Sequence, residues 1–456
     1  MRNKQSMFLM IFIGRGDMMK SILEEACCEE AWLSFLDYKI ERQHLSRTEE
    51  QEIRDFVERR AYVKLCEAWK KGVYPEEHAK KSVISKEGTG KKRVVYSFTG
   101  DEGIFLKFVA YHLFRYNEVF CRNCYAFRRG YGVRDALRRL RSDRRIPDQY
   151  CLKMDISNYF NSINVEILLE KLEFVRRTDE KLYQLFERIL LENLVIYAGE
   201  EIVEEHGAMA GTPISPFLAN VYLSETDYYF EELGVSYYRY SDDILIFADT
   251  YEDLKYYEGI LRERIAGLGL SINPDKVTIT GPGEEFSFLG FAYRNGEIDL
   301  SPNTIRKTKA RIKRKANALM RWQRKKGLDS AKAAVGFIRA MNVKFYGCKE
   351  PERQIGESLD SGLNEFTWER WFFPNLTTDK GLKEIDAYMQ QYIRYTVTGR
   401  HYKGNFRIGY ETLKEWGYRN LVHEYYAYRS KKVNGIVDKP MRAGLDILGN
   451  MLENKE

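Results

Sequence analysis

The sequence predicts an α+β chain: an antiparallel sheet with helices on one face, preceded and followed by helical extensions. Three observations carry that prediction. Apolar residues recur at three and four positions through residues 20–71 and through most of the chain after Ser301, the period of a half-buried helix. Short runs rich in β-branched and aromatic residues stand between those stretches, bounded by Gly, Pro, Asn and Asp. Their order is strand, helix, strand, strand and further strand, with helical insertions, which suits an α+β sheet. No internal repeat or low-complexity linker interrupts it.

Taken in order, the helical pattern of Lys20 to Lys71 stops at Gly72. Residues 82–98, SVISKEGTGKKRVVYSF, read as a β-hairpin whose Gly-Thr-Gly turn carries Lys91, Lys92 and Arg93. The GTGKK string lacks the GxxxxGK[ST] spacing of a phosphate loop. Residues 101–145 return to helix and hold a basic aromatic stretch. A strand ending in an acid, YCLKMD, spans Tyr150 to Asp155, and helices follow to about Leu194. The Gly-rich turn HGAMAGTPISP opens the helix FLANVYLSETDYYF. Two strands meet around Ser241-Asp242-Asp243, a helix runs from about Tyr251 to Gly267, and KVTITGP and FSFLGFAYR add short strands.

The net charge of the 456 residues is only +6, so distribution says more than balance. Asn303 to Lys326 holds eleven Lys or Arg and no acid, a face suited to a polyanion or, more plainly, to solvent. Seven scattered cysteines, Cys27, Cys28, Cys66, Cys121, Cys124, Cys151 and Cys348, give no disulfide framework and fit a reducing cytoplasm. Cys121-x-x-Cys124 lacks the second ligand pair of a zinc site. Met7 to Ile13 is apolar but too short to span a bilayer, so no membrane partner is expected; it reads as a dispensable leader ahead of Met18 or Met19.

The chemistry concentrates in YYRYSDDILIFAD, Tyr237 to Asp249. Two adjacent carboxylates, Asp242 and Asp243, sit between apolar runs, and unit charges about 4 Å apart repel by roughly 4 kcal/mol at an effective dielectric near 20. A third acid, Asp155, ends another strand. Side-chain alternation bars Asp242 and Asp243 from both facing Asp155 squarely, so the expected arrangement pairs Asp155 with Asp242 and keeps Asp243 in support. Two hard cations at such a site would offset the repulsion and promote in-line phosphoryl displacement.

Tyr240-Ser241-Asp242-Asp243 resembles the Tyr-x-Asp-Asp box of reverse transcriptases. KMDISNYFNSIN, AGTPISPFLANVYL, LSINPDKVTI and FSFLGF are similar to further motifs of that family in the same order, and YAFRRGYGVRDALRRL is similar to the fingers-to-palm segment of retron and group II intron enzymes. The resemblance covers about residues 82–300. It implies a right-hand polymerase: an N-terminal leader and helical extension over 1–80, fingers over 81–150, a palm over 151–300 with an insertion at about 165–205, a helical thumb over 301–349, and a mainly helical domain over 350–456.

It also implies roles. Asp155 and Asp242 would bind Mg2+ (or Mn2+) with the carbonyl of Ile156, and Asp243 would assist. Lys276 would protonate the departing pyrophosphate, while Lys92 and Arg93 would grip the triphosphate of a dNTP. Phe160 would exclude a ribose 2′-hydroxyl, against the simpler reading of core packing. Gly211 and Ser215 would keep the nucleotide-contacting turn, and Arg128 and Arg129 would contact template or triphosphate. One departure stands out: the family's usual Gln is Ala210 here, which removes a polar contact to nucleotide or template. The implied partners are an RNA template, DNA product and dNTPs, with a homo-oligomer left open. The absence of a nuclease signature resembles the retron and phage-defence enzymes, which work with a noncoding RNA. Template-independent or protein-primed synthesis, and a catalytically idle RNA-binding protein, are the competing readings.

Overall fold

The computed structural model describes residues 20–43, 45, 47–85, 92–327, 329–347 and 367–433. The stretch Met7–Ile13, Met18, Met19, the Gly-Thr-Gly turn with Lys91, and Cys348 lie outside the described residues. The chain divides into two compact units, one of residues up to Ala136 with Gln149–Gly281, the other of Leu137–Asp148 with the described residues from Pro282 on. This redraws the expected five parts. The N-terminal helices share one core with the segments expected as fingers and palm, and the division falls after Gly281 rather than near residue 300.

In the first unit the N-terminal extension is four helices, Ile22–Ala26, Glu29–Gln43, Arg47–Glu58 and Ala61–Lys70, and Gly72 (φ 72°) ends the last as expected. Ser21 begins the first by accepting the Leu23 N–H, with Glu24 closing a capping box. Trp32 lies at their centre, fully buried, stacked on Phe108 at 4.0 Å and donating its indole N–H to the Ala26 carbonyl. Asp179 ties the extension further in, accepting from Ser21 Oγ and the Ile22 N–H, both at 2.8 Å.

The hairpin forms as read: β1 (Ala79–Ser85) pairs antiparallel with β2 (Lys92–Ser97) in a register that sets Ser85 opposite Lys92. The stretch after it is less helical than expected. A helix Gly100–His112 passes into a 3₁₀ segment, Leu113–Val119, and an irregular loop precedes the helix Val133–Ser142. Arg128 closes that loop from inside, donating to the carbonyls of Cys121 (2.6 Å), Cys124 (2.9 Å) and Asn117 (3.0 Å). The guanidinium is buried, so Arg128 holds the fold and does not contact template or triphosphate. Arg129 is exposed beside the Tyr38 ring.

After β3 (Tyr150–Asp155) come the helices Val165–Lys171, Glu173–Thr178 and Glu180–Leu191. A second hairpin then appears just past the helices that the sequence predicts to about Leu194: β4 (Leu194–Tyr197) and β5 (Glu200–Val203), turning at Ala198-Gly199 with positive φ at both. β4 runs parallel to β1, with Ala79 opposite Val195, giving a sheet of order β2-β1-β4-β5. β6 (Ser236–Tyr240), β7 (Asp243–Ala248) and β8 (Thr278–Thr280) join β3 in a second sheet, β6-β7-β3-β8, whose described pairs are antiparallel. Period-two alternation sorts its faces. Leu152, Met154, Ile244, Ile246 and Tyr237 enter the core with Phe230, Leu254 and Leu261 of the helices Ser215–Glu232 and Tyr251–Gly267. Lys153, Asp155, Asp243 and Leu245 alternate onto the other face.

The second unit is a sheet of β9 (Phe286–Phe288), β10 (Phe291–Arg294) and β11 (Glu297–Leu300), in order β11-β10-β9, with helices Pro302–Lys326, Ser330–Tyr346, Trp368–Trp371, Lys380–Thr398, Tyr410–Glu415 and Leu421–Val433. Ile312, Ala316 and Met320 form the buried stripe of the basic helix, which packs on Lys380–Thr398. Buried Asp386 caps the last helix, accepting from the Leu421 and Val422 N–H groups and from Tyr418 Oη. Among the described residues no helix is long and apolar enough to cross a membrane.

Candidate active site

The antiparallel register of β3 and β7 sets Asp155 directly opposite Asp243, so these two carboxylates project from the same face. Asp243, rather than Asp242, is therefore the cross-strand neighbour of Asp155. Asp242 lies off the strand, in the two-residue turn Ser241-Asp242 that joins β6 to β7, and alternation does not govern it. Its carbonyl accepts the Ile156 N–H at 3.2 Å, which ties the turn to the end of β3. On the far side of Ile156, Asn273 donates to the Asp155 carbonyl and Ser157 donates to the Ser271 carbonyl, leaving Ile156 in a non-hydrogen-bonded bridge with Ile272. Both polar backbone groups of Ile156 thus face the Asp242 side.

Two ammonium groups answer the three acids. Lys276, at the end of the 3₁₀ turn Pro274–Lys276, reaches Asp155 Oδ2 at 2.5 Å. Lys153, two residues before Asp155 and hence on its face, stands 3.4 Å from Asp243 Oδ1. Lys153 was missed in the sequence, although the alternation in YCLKMD marks it. Asp155 is buried, while Asp242 and Asp243 keep a solvent-facing edge. Among the described residues no cation is ion-paired with Asp242. Burial first, then the charges of Asp243 and Asp155, push its carboxyl up to about 6. Burial also raises Asp243, against the opposing pull of Lys153.

Among the described residues no three His, Cys, Asp or Glu side chains stand as a ready cage for a metal. The expected set, Asp155, Ile156, Asp242 and Asp243, is nevertheless brought to one place. Its donors are hard oxygens, and three carboxylates against two ammoniums leave the site short of positive charge. By donor chemistry it fits a hard divalent cation.

The turn is held from behind by a group that sequence reasoning did not find. Arg239 and Asp227 form a fully buried ion pair: Nε reaches Oδ1 at 2.7 Å and Nη2 reaches Oδ2 at 2.5 Å. Nη1 donates to the Ser241 carbonyl at 3.1 Å and to Asn220 Oδ1 at 3.2 Å, and Tyr237 Oη donates to Asp227 Oδ1 at 2.9 Å. Ser241 carries φ 59°, a left-handed conformation that costs a non-glycine residue of order 1 kcal/mol, and the guanidinium holds its carbonyl there.

The remaining expected residues divide. Phe160, half-buried in the 3₁₀ turn Tyr159–Ser162, packs edge-on to Phe127 at 6.1 Å, and Phe127 lies 6.5 Å from the ring of Tyr240. Its backbone is fixed, since its carbonyl accepts the Ala208 N–H at 2.8 Å. Ala210 has both backbone groups engaged: it accepts from the Tyr96 N–H at 2.7 Å and donates to Asn161 Oδ1 at 2.9 Å. Asn161 also donates to the Val94 carbonyl, so the loop after β5 is sewn to β2. Ser215 is fully buried and its hydroxyl bonds Thr212 Oγ1 and the Met209 carbonyl, so it shapes the turn and is closed to nucleotide. Alternation along β2 puts Arg93 with Val95 on the side of Gly211, while exposed Lys92 turns the other way, so the pair does not act as one grip.

Gly211 is required by close approach. At φ 106° a Cβ would lie 2.8 Å from the Tyr96 carbonyl oxygen. Gly211→Ala is expected to lower stability by about 1–3 kcal/mol, read by urea denaturation. Gly259→Ala, in a helix with nothing within 4 Å, is the opposite control and should stabilise slightly. Equal effects from the two would mean that the contact with β2 is not a constraint.

Comparison with known proteins adds the following. Residues 81–293 match the family described as reverse transcriptase (RNA-dependent DNA polymerase). The retron Ec86 reverse transcriptase of Escherichia coli is 29% identical over 106 residues, 22% of this chain and 33% of that protein. The match thus spans a third of the length of that curated relative. Among solved structures, apo telomerase from Candida tropicalis overlaps with a TM-score of 0.42 at 11% identity, covering 84% of this chain and 68% of that one. Telomerase from Candida albicans in complex with a TWJ fragment of telomeric RNA gives 0.38 at 12%, covering 77% and 66%.

Proposed function

Taking residues 81–293 as the reverse transcriptase domain that they match, we propose that the chain is an RNA-directed DNA polymerase whose reaction centre is Asp155, Asp242 and Asp243. The single observation that carries the reading is the register of β3 and β7, which brings an acid from each strand and one from the turn between β6 and β7 to one point. Magnesium, or manganese in its place, would be held by Asp155, Asp242 and the Ile156 carbonyl with Asp243 beside them, and would supply activation of the primer 3′-hydroxyl and charge stabilisation on the phosphates.

The chain's own residues do the rest. Lys276, already on Asp155, carries the proton for the departing pyrophosphate, and Arg93 offers a fork to the triphosphate. Arg239 keeps the Ser241 carbonyl, and with it Asp242, in position. Phe160, backed by Phe127, closes the space under the sugar. Phe160→Ala is expected to raise ribonucleotide incorporation relative to deoxynucleotide by roughly tenfold to a hundredfold. Unchanged sugar selection in single-nucleotide extension would leave Phe160 a packing residue.

The proposal includes a bacterial cytoplasmic setting, a cognate noncoding RNA as template, and a role in antiphage defence. The likeness to a retron enzyme of Escherichia coli supports the bacterial setting and the RNA template, and six free thiols among the described residues suit a reducing compartment. The test is incorporation of each dNTP by purified protein with and without RNA, with sequencing of the product. Synthesis that survives RNase treatment of the preparation excludes RNA templating. A second reading, template-independent addition, is favoured by Ala210: its backbone is spent on Tyr96 and Asn161, and its methyl offers no polar contact.

A further inference from the structure

We propose that the loop Gly399–Tyr410 is a second nucleic-acid site, stacking unpaired bases of a single strand on Tyr402 and Phe406 and holding phosphates with the exposed Arg400, Lys403 and Arg407. The inference does not rest on the polymerase reading. It concerns binding by the second unit alone.

The loop reads GRHYKGNFRIGY, with three Lys or Arg, one His and no acid. Two of its three Phe or Tyr rings point well outward: Tyr402 is 57% exposed and Phe406 68%. Paired exposed rings on a basic loop gain nothing for folding, and an exposed apolar patch signals a partner. The loop is also built in advance. Gly399 ends the helix Lys380–Thr398 in the left-handed region at φ 71°, and a 3₁₀ turn spans Lys403–Arg407. Asn405 donates from Nδ2 to the Arg400 carbonyl at 2.7 Å and from its N–H to the Tyr402 carbonyl at 3.1 Å. A Cβ on Gly404 would lie 2.9 Å from Tyr402 Cζ, so that ring lies close over the turn. Ordering is thus done before binding, which lowers its cost.

Two buried polar groups lie beneath the loop. Arg394 is 7% exposed; its Nε donates to the Ile408 carbonyl at 2.9 Å and its guanidinium sits 5.5 Å from the Phe406 ring. Among the described residues no carboxylate is ion-paired with it, nor with Arg400, Lys403 or Arg407; Glu411 nearby pairs with Lys414. A buried cation without an acid is costly unless an anion arrives. Asn405 Oδ1, buried in the same turn, accepts no hydrogen bond among the described residues. Behind the loop, Tyr388, Tyr392, Tyr395 and His401 form a continuous aromatic support, with His401 stacked on Tyr395 at 4.4 Å.

Cations beside exposed rings match a sugar–phosphate chain with bare bases; a duplex hides its base faces from those rings. A lipid surface would call for a broad apolar face, where this loop offers two rings.

The test titrates the full chain, without nucleotides, into labelled oligouridylate, its deoxy counterpart and a blunt duplex. Tyr402→Ala/Phe406→Ala is expected to weaken single-strand binding about tenfold or more and leave duplex binding unchanged. Loss on RNA alone or DNA alone identifies which strand the loop takes. Arg400→Ala/Lys403→Ala/Arg407→Ala is expected to flatten the salt dependence by about 2 in log–log slope. All five side chains are exposed, so melting should not change, and Tyr256→Ala, an equally exposed ring of the other unit, should bind as the parent. A change below about twofold in the ring variant, an equal loss on the duplex, or a loss seen with anionic vesicles in place of oligonucleotides overturns the proposal.

Discussion

Asp242→Asn will abolish DNA synthesis and, in metal-free protein above pH 6, will make the fold more stable. The same cause produces both effects. Burial and the neighbouring charges of Asp243 and Asp155 hold the Asp242 carboxyl up to about 6, against an ordinary value of 3.8. A raised acid binds its proton more tightly folded than unfolded. Its ionisation therefore costs nothing below pH 4, and the cost grows as pH rises through about 6 and is full above it. Asparagine keeps the shape and cannot ionise. In chelator the variant should match the parent near pH 3, where the carboxyl is protonated in both states, and exceed it by about 1–3 kcal/mol near pH 7.5, measured by urea denaturation. Divalent ions should narrow that gap in the parent, because the ionised carboxylates bind them. Equal stability of the two proteins at pH 7.5 in chelator, or synthesis by the variant, would remove Asp242 from the centre.

Arg239→Ala will cost the fold about 3–5 kcal/mol, because it leaves the Asp227 carboxylate buried without its partner. Arg239→Lys separates stability from positioning. A lysine reaches Asp227 but has no fork with which to hold the Ser241 carbonyl as well. The expected result is a smaller loss of stability, a clear fall in kcat and little change in KM for the dNTP. Undiminished kcat in that variant would mean the turn keeps its form without the guanidinium. Pairing Arg239→Met with Asp227→Leu should recover much of the stability and none of the turn's support.

What could be read from the residues follows from how locally each feature is determined. β3, β7 and the helix Tyr251–Gly267 emerge as read, because short apolar runs bounded by acids and a Thr250 cap mark them within a few residues. The convergence of the acids was legible for the same reason. The alternation argument failed at Asp242 alone, since a turn residue obeys no strand period. β4 and β5 escaped because each has four residues and β4 takes its partner from β1, more than a hundred residues earlier. Arg128 looked like a ligand because a charge run in sequence does not reveal which guanidinium turns inward. Asp227 and Arg239 lie on a helix and a strand whose facing is decided only by packing.

The parallel pairing of Ala79 with Val195 has a consequence for biogenesis. A ribosome that has made the chain as far as Asn193 has released the hairpin that carries Arg93, yet one edge of β1 still waits for its neighbour. β3 likewise waits for β7, which is translated almost a hundred residues later. Neither sheet closes locally, so this unit matures late and slowly, and nascent chains stalled in that interval expose strand edges to one another.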